Sequence, residues 1–207
     1  MLPGCADDET GADTSVAETS AAGTKPDCVL APELTEGPFY LDLDRVRRDI
    51  TEGSEGAPLE LSVTVVDAEA CSPIRDAAVD VWHCDANGDY SGVTGTETTF
   101  LRGIQMTDDA GVAEFVTIYP GWYTGRAVHI HVKVHLGTER TYTGQLFFDD
   151  ETTQRVYASE PYSDRPGPDT SNAADGIFGR SGGSTIVEVG EAGDGYRGTV
   201  TLGVPPA

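Results

Sequence analysis

Leu59-Glu60-Leu61-Ser62-Val63-Thr64-Val65 alternates apolar and polar side chains with a period of two. That is the pattern of a strand with one face in a core and the other toward solvent. Further β-prone runs follow it: Asp80-Val81-Trp82-His83, then 111–118, 128–136, 141–148, 184–189 and 198–204. Turn residues separate them, and 25 Gly with 12 Pro in 207 residues suit many short strands rather than a helical bundle. The spacing implies an antiparallel sandwich or barrel, and the expected fold is all-β, an antiparallel β-sandwich with long loops around a metal site. One short helix is expected over 151–158, capped by Asp149 or Asp150. Two polar, Gly-rich stretches, 91–104 and 160–183, take no assignment. Long loops on a rigid scaffold are where binding sites are usually built.

The charge balance removes whole classes of partner. Lys and Arg total 13 against 35 Asp and Glu, a formal net charge of −22, and only Lys25 and Lys133 are lysines. Nucleic acid and anionic membrane surfaces would repel such a chain. No apolar run approaches the length needed to span a bilayer.

Residues 1–27 are acidic, Ser-, Thr-, Ala- and Gly-rich, with almost no large apolar side chain. Such a segment reads as a disordered leader or a tether, followed by one domain over 28–207. Leu2-Pro3-Gly4-Cys5 resembles the end of a bacterial lipoprotein signal, which makes Cys5 a candidate lipid anchor. An extracytoplasmic location, secreted or anchored at the cell surface, is the corresponding expectation. Cys28, Cys71 and Cys84 remain for the folded part, and no C-x-x-C spacing suggests zinc. In an exported protein one pair forms a disulfide and one thiol stays buried. Cys71 and Cys84 flank a predicted strand, too far apart to bridge, so Cys28 pairs with one of them.

His129-Ile130-His131 is the most informative tripeptide. On a strand the two imidazoles share a face, roughly 6.6 Å apart along the backbone, and can converge on one metal ion. The spacing alone is a weak signal, since ordinary strand histidines have it too. The chain has two more histidines, His83 and His135. A cupin site would need Glu four or five residues after the second His, where His135 and Leu136 stand. His135 lies further along the same face and is read as structural or solvent-facing. The remaining ligands must come from another residue type.

Three further segments supply it. Trp82-His83-Cys84-Asp85-Ala86-Asn87-Gly88-Asp89-Tyr90, Pro120-Gly121-Trp122-Tyr123 and Arg126-Ala127-Val128-His129-Ile130-His131 together resemble the intradiol ring-cleavage dioxygenases. Thr35-Glu36-Gly37-Pro38-Phe39-Tyr40, Gly144-Gln145-Leu146-Phe147-Phe148 and, loosely, 165–170 extend the resemblance over about 28–204. It implies Fe(3+) held by Tyr90, Tyr123, His129 and His131 in a loop-rimmed mouth of the sandwich. The chemistry is consistent, because phenolate is a hard anionic donor and two of them favour iron(III). The implied activity is cleavage of a catechol-type substrate between its hydroxylated carbons with O2, giving a cis,cis-muconate-type diacid. Tyr123 is the implied displaceable ligand and base, Arg126 the cation against the substrate ring, and Gln145 a pocket residue. Phe39 and Tyr40 are expected to wall the cavity, and Trp82 to pack beneath the metal.

Two departures bear on substrate and assembly. Thr124-Gly125 stands where protocatechuate enzymes carry a Pro and a bulky aromatic. Only the acidic tail precedes residue 28, where the catechol and hydroxyquinol enzymes carry a helical dimerisation region, so a homo-oligomer stays open. The alternative function is a catalytically inactive secreted sandwich that binds aromatics or carbohydrate. Retention of all four ligand positions with Arg126 and Gln145 argues against it.

Overall fold

The computed structural model describes Met1 and residues 28–93, 97–137 and 140–205. Cys5 and the rest of the expected leader lie outside the described residues. The described residues form eight strands: β1 Pro58–Asp67, β2 Ala78–Trp82, β3 Arg102–Met106, β4 Val112–Ile118, β5 His129–Leu136, β6 Arg140–Phe148, β7 Ile186–Ala192 and β8 Gly195–Val204. Helix α1 spans Asp150–Val156 and α2 spans Gly176–Ser181. The alternation in Leu59–Val65 works as expected: Leu59, Leu61, Val63 and Val65 are buried and Glu60 is exposed.

The strands run in one sheet of order β3-β2-β5-β6-β7-β8-β1-β4. The all-β expectation stands, but a purely antiparallel sheet does not, because β1 pairs with β8 and β6 with β7 in parallel. The β6–β7 join is short, only Phe147↔Ile186 and Phe148↔Val187, so the sheet turns between two four-stranded halves. Residues 45–50 bridge its two edges. Arg47 N–H donates to the Ile104 carbonyl at 3.0 Å, and Ile50 N–H to the Val116 carbonyl at 3.0 Å. The sheet is thereby nearly closed. Inside lie Leu61, Val63, Phe115, Ile130, Val132, Leu146, Phe148 and Leu202, all essentially without solvent contact.

Two elements occupy stretches the sequence leaves unassigned. Strand β3 falls within 91–104 and beyond, where Arg102 and Gly103 hide the strand signal. Gly103 is required there, since a Cβ would sit 2.5 Å from Ile50 Cγ2. Helix α2 lies within 160–183, capped by Asp175. Helix α1 starts as expected, with Asp149 as its cap accepting from Thr152 N–H at 2.9 Å. Cys28 is bonded to Cys71, and Cys84 is free and buried.

Candidate metal centre

Strand β5 places His129 and His131 on the face opposite Ile130, Val132 and Val134, which fill the core. Both imidazoles are buried and their Nε2 atoms are 3.2 Å apart. The His129 Nδ1 donates to the Ala127 carbonyl at 2.7 Å, which directs the Nε2 lone pair inward. His131 has no such anchor. Its Nδ1 is buried without a partner among the described residues, and Trp82 sets its plane by stacking at 5.0 Å and 6°. Gly37, at φ +75°, packs on the other side, where a Cβ would lie 3.1 Å from the ring. Burial pushes His129 down to about 3, with Arg126 adding to the effect, and pushes His131 well below the usual histidine range. Both rings are neutral near pH 7 and free to act as ligands.

The turn before β5 contributes Tyr123, whose hydroxyl is 3.1 Å from His129 Nε2. Tyr90 arrives on the turn after β2. Its ring stacks on Phe39 at 4.4 Å and meets Tyr123 edge-on at 5.7 Å. The Tyr90 hydroxyl is buried against Tyr123 without a well-formed hydrogen bond. Burial raises both phenols, and Arg126 offsets part of the rise at Tyr123. A multivalent cation would reverse that preference, since a bound ion favours the deprotonated donor.

Two donors each about 2.1 Å from one ion and at right angles stand about 3.0 Å apart. The His129–His131 and His129–Tyr123 separations of 3.2 and 3.1 Å match that requirement. The unpartnered Tyr90 hydroxyl completes a set of two imidazoles and two phenols, a donor set that suits iron(III). Among the described residues no three His, Cys, Asp or Glu side chains gather to hold a metal. Beside the two histidines, the tyrosine hydroxyls are the donors at hand.

Arg126 is held from two sides. Its Nε donates to Asp175 Oδ2 at 2.9 Å, and one Nη donates to Gln145 Oε1. Gln145 Nε2 is itself tied to the Thr35 carbonyl at 2.9 Å. The remaining Nη1 lies 3.4 Å from both the Tyr123 hydroxyl and His129 Nε2. Beside Tyr90 opens a cavity of about 700 Å³, lined by Phe39, Asp85, Asp89, Val93 and Phe100 among others. Phe39 thus stands in its wall. Tyr40 does not line it and packs behind, tilted on Trp82 at 4.9 Å with Lys133 Nζ 3.9 Å above its ring. His135 is half-buried and outside the cluster. His83 is fully buried and bonded to the Cys84 carbonyl and Thr117 Oγ1, each at 2.8 Å.

Sequence reasoning missed Asp175, in the unassigned 160–183 stretch, and reached Arg165 and Asp169 only within a loose family resemblance, with no role for either. Arg165 stacks over Trp122 at 4.7 Å and donates to the Ala86 and Trp122 carbonyls, each at 3.3 Å. It spans the two turns that carry Tyr90 and Tyr123. Asp169 Oδ1 accepts from Gly125 N–H at 3.1 Å. No local pattern marks them, because their partners are backbone groups and side chains far away in the chain.

A family model described as Dioxygenase matches residues 31–158, more than half of the chain and most of this site. The chain belongs to the intradiol ring-cleavage dioxygenases. An intradiol ring-cleavage dioxygenase from Tetranychus urticae superposes with a TM-score of 0.82 and 32% identity, over 86% of this chain and 96% of that one. The dioxygenase domain of a dioxygenase carbohydrate-binding protein fusion from Streptomyces sp. SirexAA-E gives a TM-score of 0.68 at 29% identity, over 86% and 99%. The chlorocatechol 1,2-dioxygenase of Cupriavidus pinatubonensis is 28% identical over 55% of this chain and 53% of its own length. The chain spans about half the length of the curated relatives it matches. As an intradiol family member it falls among the oxidoreductases whose dioxygenase fold its sheet shares.

Proposed function

We propose that this chain is a non-haem iron(III) dioxygenase that opens a catechol-type ring between its two hydroxylated carbons. Both atoms of O2 enter the product, a cis,cis-muconate-type diacid. The observation that carries this reading is the convergence of two neutral imidazoles and two tyrosine hydroxyls, with one guanidinium nitrogen aimed at them. Tyr90, Tyr123, His129 and His131 would hold the ion. The chemistry supplied by bound iron(III) is Lewis-acid binding of the catechol oxygens and activation of the ring toward O2.

The chain's own groups do the rest. Tyr123, half-buried and within reach of Arg126, is placed to take a substrate proton as its phenolate. Arg126 Nη1 puts a fixed cation where negative charge develops on the ring. Gln145 orients that guanidinium, and Phe39 covers Tyr90 and keeps water from it. The test is iron loading followed by visible spectroscopy and oxygen uptake with a catechol panel. A reddish protein that consumes O2 and forms product absorbing in the ultraviolet is expected. Protein that stays colourless and consumes no oxygen after loading would sink the reading and favour a binding module.

The working compartment is proposed to be extracytoplasmic, which the Cys28–Cys71 disulfide supports. Thiol counting on denatured protein from its native compartment tests it. Free thiols at both Cys28 and Cys71 would count against export.

A further inference from the structure

Asp175 is a side chain with more partners than a helix cap needs. It is 4% exposed, at the start of α2. Its Oδ1 caps the helix, accepting from Ile177 N–H at 2.7 Å and Phe178 N–H at 3.2 Å. Its Oδ2 faces the other way and accepts from Arg126 Nε and from Ala127 N–H, both at 2.9 Å. The Ala127 carbonyl is the acceptor that fixes His129 Nδ1. One carboxylate from a distant helix is therefore bonded directly to the cation of the site and, through the backbone of one residue, Ala127, to a candidate ligand. Burial alone would raise this carboxyl; the bonds from Ala127, Ile177 and Arg126 hold it below its ordinary value.

The geometry leaves Arg126 little freedom. Nε is occupied by Asp175 and one Nη by Gln145, so only Nη1 points at Tyr123 and His129. Removing the Asp175 anchor would let the side chain swing about the Gln145 contact and take Nη1 off its aim. An amide at 175 cannot replace the carboxylate. It has one acceptor oxygen, while the native residue uses both, one for the helix and one for Arg126.

We infer that Asp175 is a positioning residue that aims Arg126 at the reacting ring and so sets the turnover rate, not metal retention. This rests on the proposed function. Asp175→Ser is the informative variant, because Ser still caps α2 but is too short to hold Arg126. In the metal-free protein the Arg126 Nε–H signal, followed by 15N-arginine NMR, is expected to lose its downfield position and its protection from exchange. In the iron-loaded protein, iron content is expected to be unchanged, while kcat per bound iron falls by about tenfold to a hundredfold with a much smaller change in KM. In an Arg126→Gln background the same substitution is expected to have no further effect on kcat.

A purely structural role predicts the reverse pattern: lower stability and iron content with kcat per iron unchanged. That result, an unaltered Nε–H signal, or an equal further loss in the Arg126→Gln background would overturn the inference. Should Asp175→Ser not fold, Asp175→Asn, which keeps the shape and the cap, takes its place in all three measurements. A parent protein that turned over no catechol would defeat the proposed function and the kinetic half of this inference. The NMR signal would still decide whether Asp175 holds Arg126.

Discussion

The Tyr90 hydroxyl is buried and, among the described residues, makes no well-formed hydrogen bond, whereas the Tyr123 hydroxyl is reached by Arg126 and His129. The two residues are alike in composition and differ in what surrounds them. Tyr90 gains most from a cation, since only the charge of Arg126 works against the burial of its oxygen. Tyr123 sits on the turn 120–125, half-buried, with a guanidinium able to stabilise its phenolate when the oxygen is released. Tyr123→Phe is therefore expected to retain iron but to bind catechol slowly and turn over poorly. Tyr90→Phe is expected to lose iron on dialysis and to bleach the colour even with substrate present. Stopped-flow mixing of each anaerobic variant with a catechol, beside an iron assay, separates them. Equal binding rates for Tyr123→Phe and the parent would defeat the role given to Tyr123.

At the scale of elements, strand β5 and two turns carry the candidate ligands, and the stretch 160–183 braces those turns and Arg126. Strand β5 supplies His129 and His131, whereas the turns bearing Tyr90 and Tyr123 are joined by a single backbone bond, from Gly121 N–H to the Asp85 carbonyl at 3.1 Å. Gly88 and Gly121 let those turns approach closely, since a Cβ at either would come within 2.3 Å of backbone oxygen of the facing turn. Arg165 then joins them through the Ala86 and Trp122 carbonyls. Arg165→Ala is expected to weaken iron affinity by about tenfold, the usual scale for outer partners of a metal site. The fold itself is expected to survive, because Arg165 lies outside the main core. Competition with a chelator measures the first, and urea unfolding of the metal-free protein checks the second.

At the scale of the whole molecule, two features govern stability. The Cys28–Cys71 bond closes a loop of 43 residues in sequence separation, which the chain-entropy account values at about 4 kcal/mol. Urea unfolding with and without reductant is expected to show a loss of about 2–4 kcal/mol on reduction. Cys84 will not interfere in the folded protein, because burial pushes its thiol up to about 12. The second feature is pH. His83 is fully buried and pushed down to about 4 by that burial, against about 6.5 in the unfolded chain. Between those values the unfolded chain binds the extra proton. The contribution of His83 is therefore complete above pH 6.5 and is lost as pH falls toward 4, on the order of 3 kcal/mol. Asp80, raised to about 7 by burial, acts in the opposite sense and loses its contribution as pH rises from about 4 to 7. His129 and His131 side with His83 in the metal-free protein. Net destabilisation on acidification below pH 6.5 is expected, and Asp80→Asn is expected to steepen it. Denaturant titrations from pH 7 to pH 4 measure both slopes.

Period-two alternation was enough to reveal β1, because burying one face of a strand is a local demand that each side chain meets alone, and β-prone runs between turn residues revealed β2 and β4 to β8. His129-x-His131 belongs to the same class: strand geometry by itself puts both rings on one face. Tyr90 and Tyr123 were legible only through family resemblance, since 33 residues of chain separate them. Strand β3 stayed hidden because Gly103 answers to contact with Ile50 rather than to strand propensity. The parallel β1–β8 and β6–β7 pairings left no trace in the residues, for a buried strand reads alike beside either kind of neighbour. Asp175 and Arg165 show the same limit at the site. Their sequence neighbours reveal nothing of Arg126, Ala86 or Trp122, which only chain folding brings within hydrogen-bond reach. The amino-acid sequence thus determined most of the strands and the His129–His131 pair, whose causes are local. The tertiary structure decided the closure of the sheet and the aim of Arg126, because both depend on contacts between segments far apart in the chain.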